Sequence, residues 1–152
     1  ARGAATGGPL VKHSRLIGLV AALALAAPLA ACSDTSVMHM RVGQCILRPE
    51  GQTATTIETT SCTSEHDAEV FFVTSAEDGE FPGESALNKF AEKQCFSNFE
   101  AYVGKRFVSS TLDATWMIPT KDSWAQNDRS IVCLAFAMDH SKLKQSVKDS
   151  GL

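Results

Sequence analysis

The chain has 152 residues, 44% of them hydrophobic, with 14 basic and 17 acidic residues and a formal net charge of −3. This length suits one domain with a single core. The acidic balance argues against nucleic-acid binding, which needs basic patches.

The amino end has the three-part organisation of a secretory signal peptide: a basic region, an apolar region and small residues before a cleavage site. Residues 1–10 lack an initiating Met and fit no part of a signal, so we interpret them as a stretch upstream of the true start. Lys12 and Arg15 then form a basic region, and an uncharged Ala/Leu-rich run follows over residues 16–31. That run is shorter than the ~20 apolar residues that a membrane-spanning helix needs. We therefore predict a signal peptide over residues 11–31.

The end of this run, Leu29-Ala30-Ala31-Cys32, resembles the lipobox of bacterial lipoproteins. The resemblance implies cleavage before Cys32, a diacylglyceryl group with palmitate-type chains on its thiol, and anchoring at the extracytoplasmic face of the cell membrane. The chain from Cys32 onward keeps 11 basic and 17 acidic residues among 121, a net charge of −6. Residues 32–39 are then a short lipidated tether, which spans at most about 30 Å at ~3.3–3.6 Å per residue.

Three strands are predicted next. Residues 39–49 read as a strand closed by Pro49, and the β-branched segment 51–62 follows a Gly turn, so the two are expected to form a hairpin. Residues 67–75 form a third strand with an apolar centre. Residues 76–83 are predicted to be a turn and loop.

The clearest helix covers residues 84–104. Its apolar residues recur at intervals of three and four, which places Cys95 on the stripe that faces the core. Glu84 suits the positive end of the helix dipole, and Gly104 is a natural stop.

The carboxyl half continues with a strand over residues 111–119, a short helical turn with Thr120 as N-cap, and a central strand over residues 129–139. The tail, residues 141–149, is predicted to be either an edge strand or a frayed end. Strands on both sides of one helix favour an α+β domain over residues 40–150. We expect an antiparallel sheet with one main helix packed on one face.

Cysteine parity agrees with the signal peptide. Five cysteines are an odd number, but lipidation of Cys32 leaves an even set for an oxidising compartment. Of the three possible pairings, we favour Cys45–Cys62, which lie on the predicted hairpin. The second bond, Cys95–Cys133, would then join the helix to the central strand. The fold is thus expected to be stapled by two disulfides.

One polar cluster raises three interpretations. It contains Cys62, Glu65, His66, Asp67 and Glu69. A zinc site lacks the C-x2-C partner that would complete four ligands. A catalytic pair of His66 and Asp67 is disfavoured because adjacent strand residues point to opposite faces, and no nucleophile elbow is present. The favoured hypothesis is a disulfide-pinned strand with a structural histidine and with carboxylates mostly in solvent. No metal or cofactor is predicted.

An acidic run extends through the same region. No Lys or Arg lies between Arg48 and Lys89, whereas nine acidic residues do. Such a run usually forms a solvated face. A calcium site is the alternative, but the segment "AEDGEFPGES" lacks the spacing of a calcium loop.

Several motifs together resemble the septum formation domain of actinobacterial envelope proteins. They are "RVGQC", "CTSEHDAEVFFV", "FPGESAL", the segment "NFEAYVG" after a cysteine, and "IPTKDSWAQNDRSIVCLAF", and they cover roughly residues 40–140. The chain departs from the family pattern at Gln44, where Asp is usual, and at Asn127, where Gly is usual. Because Asn tolerates the left-handed conformation, the second change can preserve the turn.

The resemblance implies a role in cell division or envelope growth. We predict a lipid-anchored, extracytoplasmic, non-catalytic binding domain whose partners are cell-division or envelope proteins or a cell-wall polymer. Its candidate binding or structural residues are His66, Asp67, Glu69, Trp124 and Arg129. The alternative is an extracytoplasmic enzyme or metal-binding sensor that uses His66, Asp67 and Glu69.

Overall fold

The computed structural model of the chain describes residue 8 and residues 33–48 and 56–152. The predicted signal peptide, the lipidation site Cys32 and the turn between the first two predicted strands lie outside these residues. The described strands are β1 (Ser33–Ser36), β2 (Cys45–Ile46), β3 (Thr56–Thr60), β4 (Ala68–Ser75), β5 (Leu112–Met117) and β6 (Ser130–Ala137). The helices are α1 (Glu84–Val103) and α2 (Lys121–Ala125), with 3-10 turns at Val37–His39 and Phe107–Ser109.

The described strands form one sheet in the order β1-β3-β2-β4-β6-β5, with every neighbouring pair antiparallel. β2 lies between β3 and β4, so Cys45 is opposite Thr60 on one side and Glu69 on the other. β6 is an interior strand, as its continuous apolar sequence predicts. The expected α+β fold with an antiparallel sheet and one main helix is confirmed.

The two faces of β6 carry different residues because side chains alternate along a strand. Cys133 and Ala135 face α1, together with Phe71, Phe99 and other apolar residues. Val132 and Leu134 belong to a second buried cluster, which includes Ile57 of β3.

α1 has a buried stripe of regular spacing. Leu87, Ala91, Cys95, Phe99 and Val103 are all at most 2% exposed and recur every four residues. The helix ends at Gly104, which has φ 82° and donates its N–H to the Glu100 carbonyl. Such a left-handed C-cap costs glycine little because it has no Cβ.

α2 begins at the predicted cap. The Thr120 hydroxyl accepts from the N–H of Ser123, and the Ser123 side chain accepts from the N–H of Thr120, which completes a capping box. After the helix, Asn127 has φ 65°, so it takes the left-handed conformation that the sequence allowed.

The amino-terminal elements differ from the prediction. Within residues 39–48, the described part of the first predicted strand, only Cys45–Ile46 is strand. Ser33–Ser36, expected to belong to a tether, pairs with β3 as β1. β3 therefore pairs along both edges, with β2 on one side and β1 on the other, because each strand has two edges that can form hydrogen bonds. In the part of the chain described, no helix combines the length and apolar character needed to cross a membrane.

The carboxyl-terminal tail is neither an edge strand nor frayed. Leu143 makes a single antiparallel bridge with His66, and Leu143 and Val147 are buried in the cluster beneath α1. The tail is therefore docked by two apolar side chains four residues apart rather than by a ladder of strand hydrogen bonds.

Candidate functional site

Glu69 is a fully buried carboxylate at the point where β2, α1 and the tail meet. The Tyr102 hydroxyl and the Ser146 hydroxyl donate to its Oε1, at 2.6 Å and 2.8 Å. The backbone N–H of Val147 donates to its Oε2 at 2.7 Å. Because Glu69 is 0% exposed, these three donors replace the water that a carboxylate would otherwise bind.

Tyr102 is the α1 member of this group. Burial of its phenol, followed by the hydrogen bond to Glu69 and the charge of that carboxylate, raises the pKa of Tyr102 above its ordinary value. The hydroxyl therefore keeps its proton and donates to Glu69. The bond ties α1 to β4 and, through Ser146, to the tail.

Asp67 joins two further segments. Its Oδ2 accepts from the backbone N–H of Arg48 at 2.7 Å and from Lys142 Nζ at 2.8 Å. Burial raises the pKa of the Asp67 carboxyl. The hydrogen bond and charge of Lys142 and the Arg48 N–H outweigh that effect and leave the pKa below its ordinary value. With 16% of its side chain exposed, Asp67 is a largely buried tie between the end of β2 and the tail.

His66 is fully buried and bonds in its own turn. Its Nδ1 lies 2.8 Å from the Ser64 carbonyl oxygen, which can only accept, so Nδ1 carries the proton. Its backbone exchanges two hydrogen bonds with Leu143, at 3.0 Å and 2.9 Å. Its Nε2 is buried and has no hydrogen-bond partner among the described residues.

The three polar residues of this motif do not converge on one point, because they share no hydrogen-bond partner. Each bonds a different point of the same tail: His66 bonds Leu143, Asp67 bonds Lys142, and Glu69 bonds Ser146 and Val147. The expectation that the carboxylates lie mostly in solvent is wrong for Glu69 and Asp67 and correct for Glu65, whose side chain is 63% exposed. Glu69 is buried because its strand position, opposite Ala135, faces the helix and the tail.

Both predicted disulfides are present. Cys45 and Cys62 have Cα atoms 5.2 Å apart, and Cys95 and Cys133 have Cα atoms 5.5 Å apart. The sulfurs of Cys45 and Cys62 and the carboxylate of Glu69 lie within 4.8 Å of one another. Because the two sulfurs are bonded to each other, they are not thiolates and do not offer metal-binding charge.

Trp124 and Arg129 form a second motif at the other end of β4. The Arg129 guanidinium lies 3.8 Å from the Trp124 ring centre, a cation–π contact. Its Nη1 donates to the carbonyls of Trp124 and Asp128, both at 2.9 Å. Its Nε lies 3.4 Å from Asp78 Oδ1, an ion-pair distance without hydrogen-bond geometry.

This motif fixes the loop that precedes α1. The Trp124 indole N–H donates to the Gly79 carbonyl at 2.9 Å, and Phe81 packs edge-on against the indole with ring centres 5.7 Å apart. The N–H of Ala76 donates to the Arg129 carbonyl at 2.8 Å. The loop is therefore tied down at three points.

Between this loop and α1 lies an open cleft of about 470 Å³, called the acidic cleft below. Its walls combine three carboxylates with apolar surface. The lining residues are Ala76, Glu77, Asp78, Gly79, Glu80, Pro82, Ala86, Leu87, Phe90 and Trp124. The exposed acidic run predicted from the sequence is confirmed at these carboxylates, and it forms one wall of a concave site.

A second cavity of about 580 Å³ lies between the start of β5 and the tail. Among its lining residues Asp139 is the one acidic group, and its Oδ1 already accepts from the N–H and hydroxyl of Ser141. This cavity therefore offers less polar recognition than the acidic cleft.

Sequence reasoning identified His66, Asp67, Glu69, Trp124 and Arg129 but missed their partners. The missed residues are Tyr102, Lys142, Ser146 and Gly79. Leu143 and Val147, two apolar residues four apart in a polar tail, were the available signal that this segment is docked.

Comparison with protein-family models finds one family over most of the chain. The model described as "Septum formation" matches residues 21–146. Comparisons with curated proteins and with solved structures gave no significant match.

Proposed function

This chain belongs to the septum formation family, and from that membership we propose that it is a lipid-anchored, extracytoplasmic binding domain of the cell envelope. It acts without catalysis, during septum formation or cell-wall growth. Its lipid anchor is Cys32, and its partners are other division or envelope proteins or a cell-wall polymer.

The extracytoplasmic location is supported by the disulfides. Cys45–Cys62 and Cys95–Cys133 use all four cysteines after Cys32. Disulfides persist in oxidising compartments and are rare in the cytosol, where thiols are kept reduced. The signal-like sequence before Cys32 supports the same location.

The observation that carries the binding function is the contrast between the two motifs. The polar groups of the first motif, His66, Asp67 and Glu69, already form hydrogen bonds within the chain that hold the tail and the end of β2 against the sheet. Trp124 and Arg129, in contrast, hold open a concave, charged surface. A fixed cleft with a few polar groups is the usual form of a binding site.

The function is tested with the full chain fused to a fluorescent protein and expressed in dividing cells of the source organism. We expect the wild type to carry a diacylglyceryl-modified amino terminus at Cys32, read by mass spectrometry, and to concentrate at the septum. Cys32→Ser should remain unlipidated and poorly processed and should lose its septal enrichment, whereas Ser36→Ala serves as the matched control.

An unmodified mature amino terminus in the wild type would contradict the lipid anchor, and even distribution around the cell would contradict the septal role. Metal analysis of the purified chain before and after chelation tests the alternative function, an enzyme or metal-binding sensor. About one bound metal per chain, lost together with a measurable turnover, would favour the enzyme or sensor alternative that uses His66, Asp67 and Glu69.

A further inference from the structure

The acidic cleft has the charge and shape to bind a basic side chain. Its carboxylates are Glu77, Asp78 and Glu80, and all three are exposed. Its apolar wall comes from Pro82, Phe90 and Trp124. Lys and Arg combine an apolar stem with a charged head, so a cleft with an apolar wall and a carboxylate rim complements both parts of these side chains.

The charges of the rim are not equally free. Asp78 is paired with Arg129 at 3.4 Å and helps to hold the loop. In the described parts of the chain, neither Glu77 nor Glu80 forms an ion pair. The sequence from residue 49 to residue 88 also contains no Lys or Arg that could neutralise them locally. Glu77 and Glu80 therefore carry the unneutralised charge of the rim.

The cleft is formed before any ligand arrives. The Trp124–Gly79 and Ala76–Arg129 hydrogen bonds and the Phe81–Trp124 ring contact fix the loop against α2 and β6. Leu87, 2% exposed, fixes the opposite wall from α1. A preformed site avoids the entropy cost of ordering a loop on binding.

We propose that the acidic cleft binds a segment of a partner protein that presents a Lys or Arg side chain beside an apolar residue. The basic head pairs with Glu77 and Glu80, and the apolar neighbour covers Phe90 and Pro82. This proposal rests on the proposed binding function and names the chemical class of its partner.

The test uses the purified full chain in a mild detergent and capped, fluorescently labelled peptides, with binding read by fluorescence anisotropy. The probes share one neutral frame and differ only at the centre, which is Lys-Leu-Arg, Gln-Leu-Gln or Lys-Gly-Arg. We expect the first to bind most tightly. Removing the charge or the apolar side chain should weaken binding at least about twofold. Raising the salt concentration should weaken binding of Lys-Leu-Arg because the pairs are exposed.

The site is assigned with two variants of equal charge change. Glu77→Gln/Glu80→Gln should weaken binding of Lys-Leu-Arg roughly two- to thirtyfold, as expected for two exposed ion pairs. Glu92→Gln/Glu100→Gln removes two exposed carboxylates of α1 outside the cleft and should change affinity less than about twofold, through net charge alone. Unfolding curves of both variants should match the wild type.

Three results would overturn the proposal: no binding of Lys-Leu-Arg, equal binding of the basic and neutral peptides, or equal weakening by the two pairs of substitutions. Septal enrichment and lipidation are read separately. A chain that localises correctly but binds no basic peptide refutes the cleft assignment and leaves the proposed function standing. A chain that binds the peptide but is neither lipidated nor enriched at the septum refutes the proposed function and leaves the cleft assignment standing.

Discussion

At the scale of single residues, Glu69 shows how a buried charge can organise a fold. A buried carboxylate is costly unless several donors satisfy it. Tyr102, Ser146 and Val147 supply three, one from α1 and two from the tail. The carboxylate consequently specifies where both segments lie relative to β4.

Glu69→Gln is predicted to lower the free energy of unfolding by about 2 to 4 kcal/mol, because the amide NH2 then faces at least one buried donor. Urea unfolding measures the loss of stability. Hydrogen exchange should show that the Val147 amide proton exchanges faster than in the wild type. Glu65→Gln is the control. Its side chain is 63% exposed and paired only with Lys144, so the change should stay below about 0.5 kcal/mol. A Glu69→Gln chain of normal stability with a protected Val147 amide would contradict this role.

Asp67 predicts a pH dependence with a definite sign. Its pKa is lowered in the folded chain, so its contribution to stability is complete above the unfolded value near 3.8 and is lost as the pH falls through the lower folded value. The difference in unfolding free energy between the wild type and Asp67→Asn should stay constant from about pH 7 to 5 and shrink below about pH 4.

The same comparison in a Lys142→Met background provides the check. Because Lys142 supplies the hydrogen bond and charge that lower the Asp67 pKa, the difference should become smaller there. An unchanged difference would mean that the Arg48 N–H alone accounts for the effect.

At the scale of elements, each disulfide joins two secondary-structure elements that also contact each other: α1 with β6, and β2 with the end of β3. Cys95 belongs to the buried stripe of α1, and Cys133 lies on the helix-facing side of β6, so their bond crosses the main core. Cys45 lies in β2, and Cys62 lies just after β3, so their bond closes the neighbouring strands. Cys95 and Cys133 are 38 residues apart along the chain, and Cys45 and Cys62 are 17 residues apart.

Loop-closure entropy predicts unequal contributions from the two bonds. Cys95→Ala/Cys133→Ala should cost about 4 kcal/mol of unfolding free energy, and Cys45→Ala/Cys62→Ala about 3 kcal/mol. Urea unfolding under non-reducing conditions compares the two double variants with the wild type. A reversed order would show that local packing, rather than the length of the closed loop, decides the contribution of each bond.

At the scale of the whole molecule, the sheet begins immediately after the predicted lipidation site. β1 starts at Ser33, the residue that follows Cys32. Four residues of the predicted tether are therefore paired with β3, which leaves less free chain than an eight-residue tether would give. Lipidation at Cys32 would hold the domain close to the membrane surface.

Protein abundance and septal enrichment in cells should distinguish the stabilising role of Glu69 from the binding role of the acidic cleft. Glu69→Gln should lower the amount of protein, because a larger unfolded fraction is degraded, while the surviving molecules stay at the septum. Glu77→Gln/Glu80→Gln should keep the normal amount and lose septal enrichment. Quantitative blotting and fluorescence imaging measure both quantities in the same cells. Loss of enrichment at normal abundance in Glu69→Gln would instead assign binding to the first motif.

The sequence by itself determined the local structure and much of the connectivity. The stripe of α1, the cap at Thr120, the stop at Gly104 and the left-handed Asn127 all follow from rules that act within a few residues. The disulfide pairing followed as well. The assigned elements already placed Cys45 and Cys62 on neighbouring strands of a hairpin, and they placed Cys95 and Cys133 on a helix and a strand that face each other.

Only the tertiary structure decided what the polar residues do. Glu69 reads as a solvated strand residue in sequence, and it is buried because Tyr102 and Val147, distant along the chain, meet it in space. The acidic cleft likewise exists because Trp124 binds the carbonyl of Gly79, 45 residues earlier. The physical reason is that periodicity and capping are local, whereas the burial of a charge depends on which donors the rest of the chain brings to it.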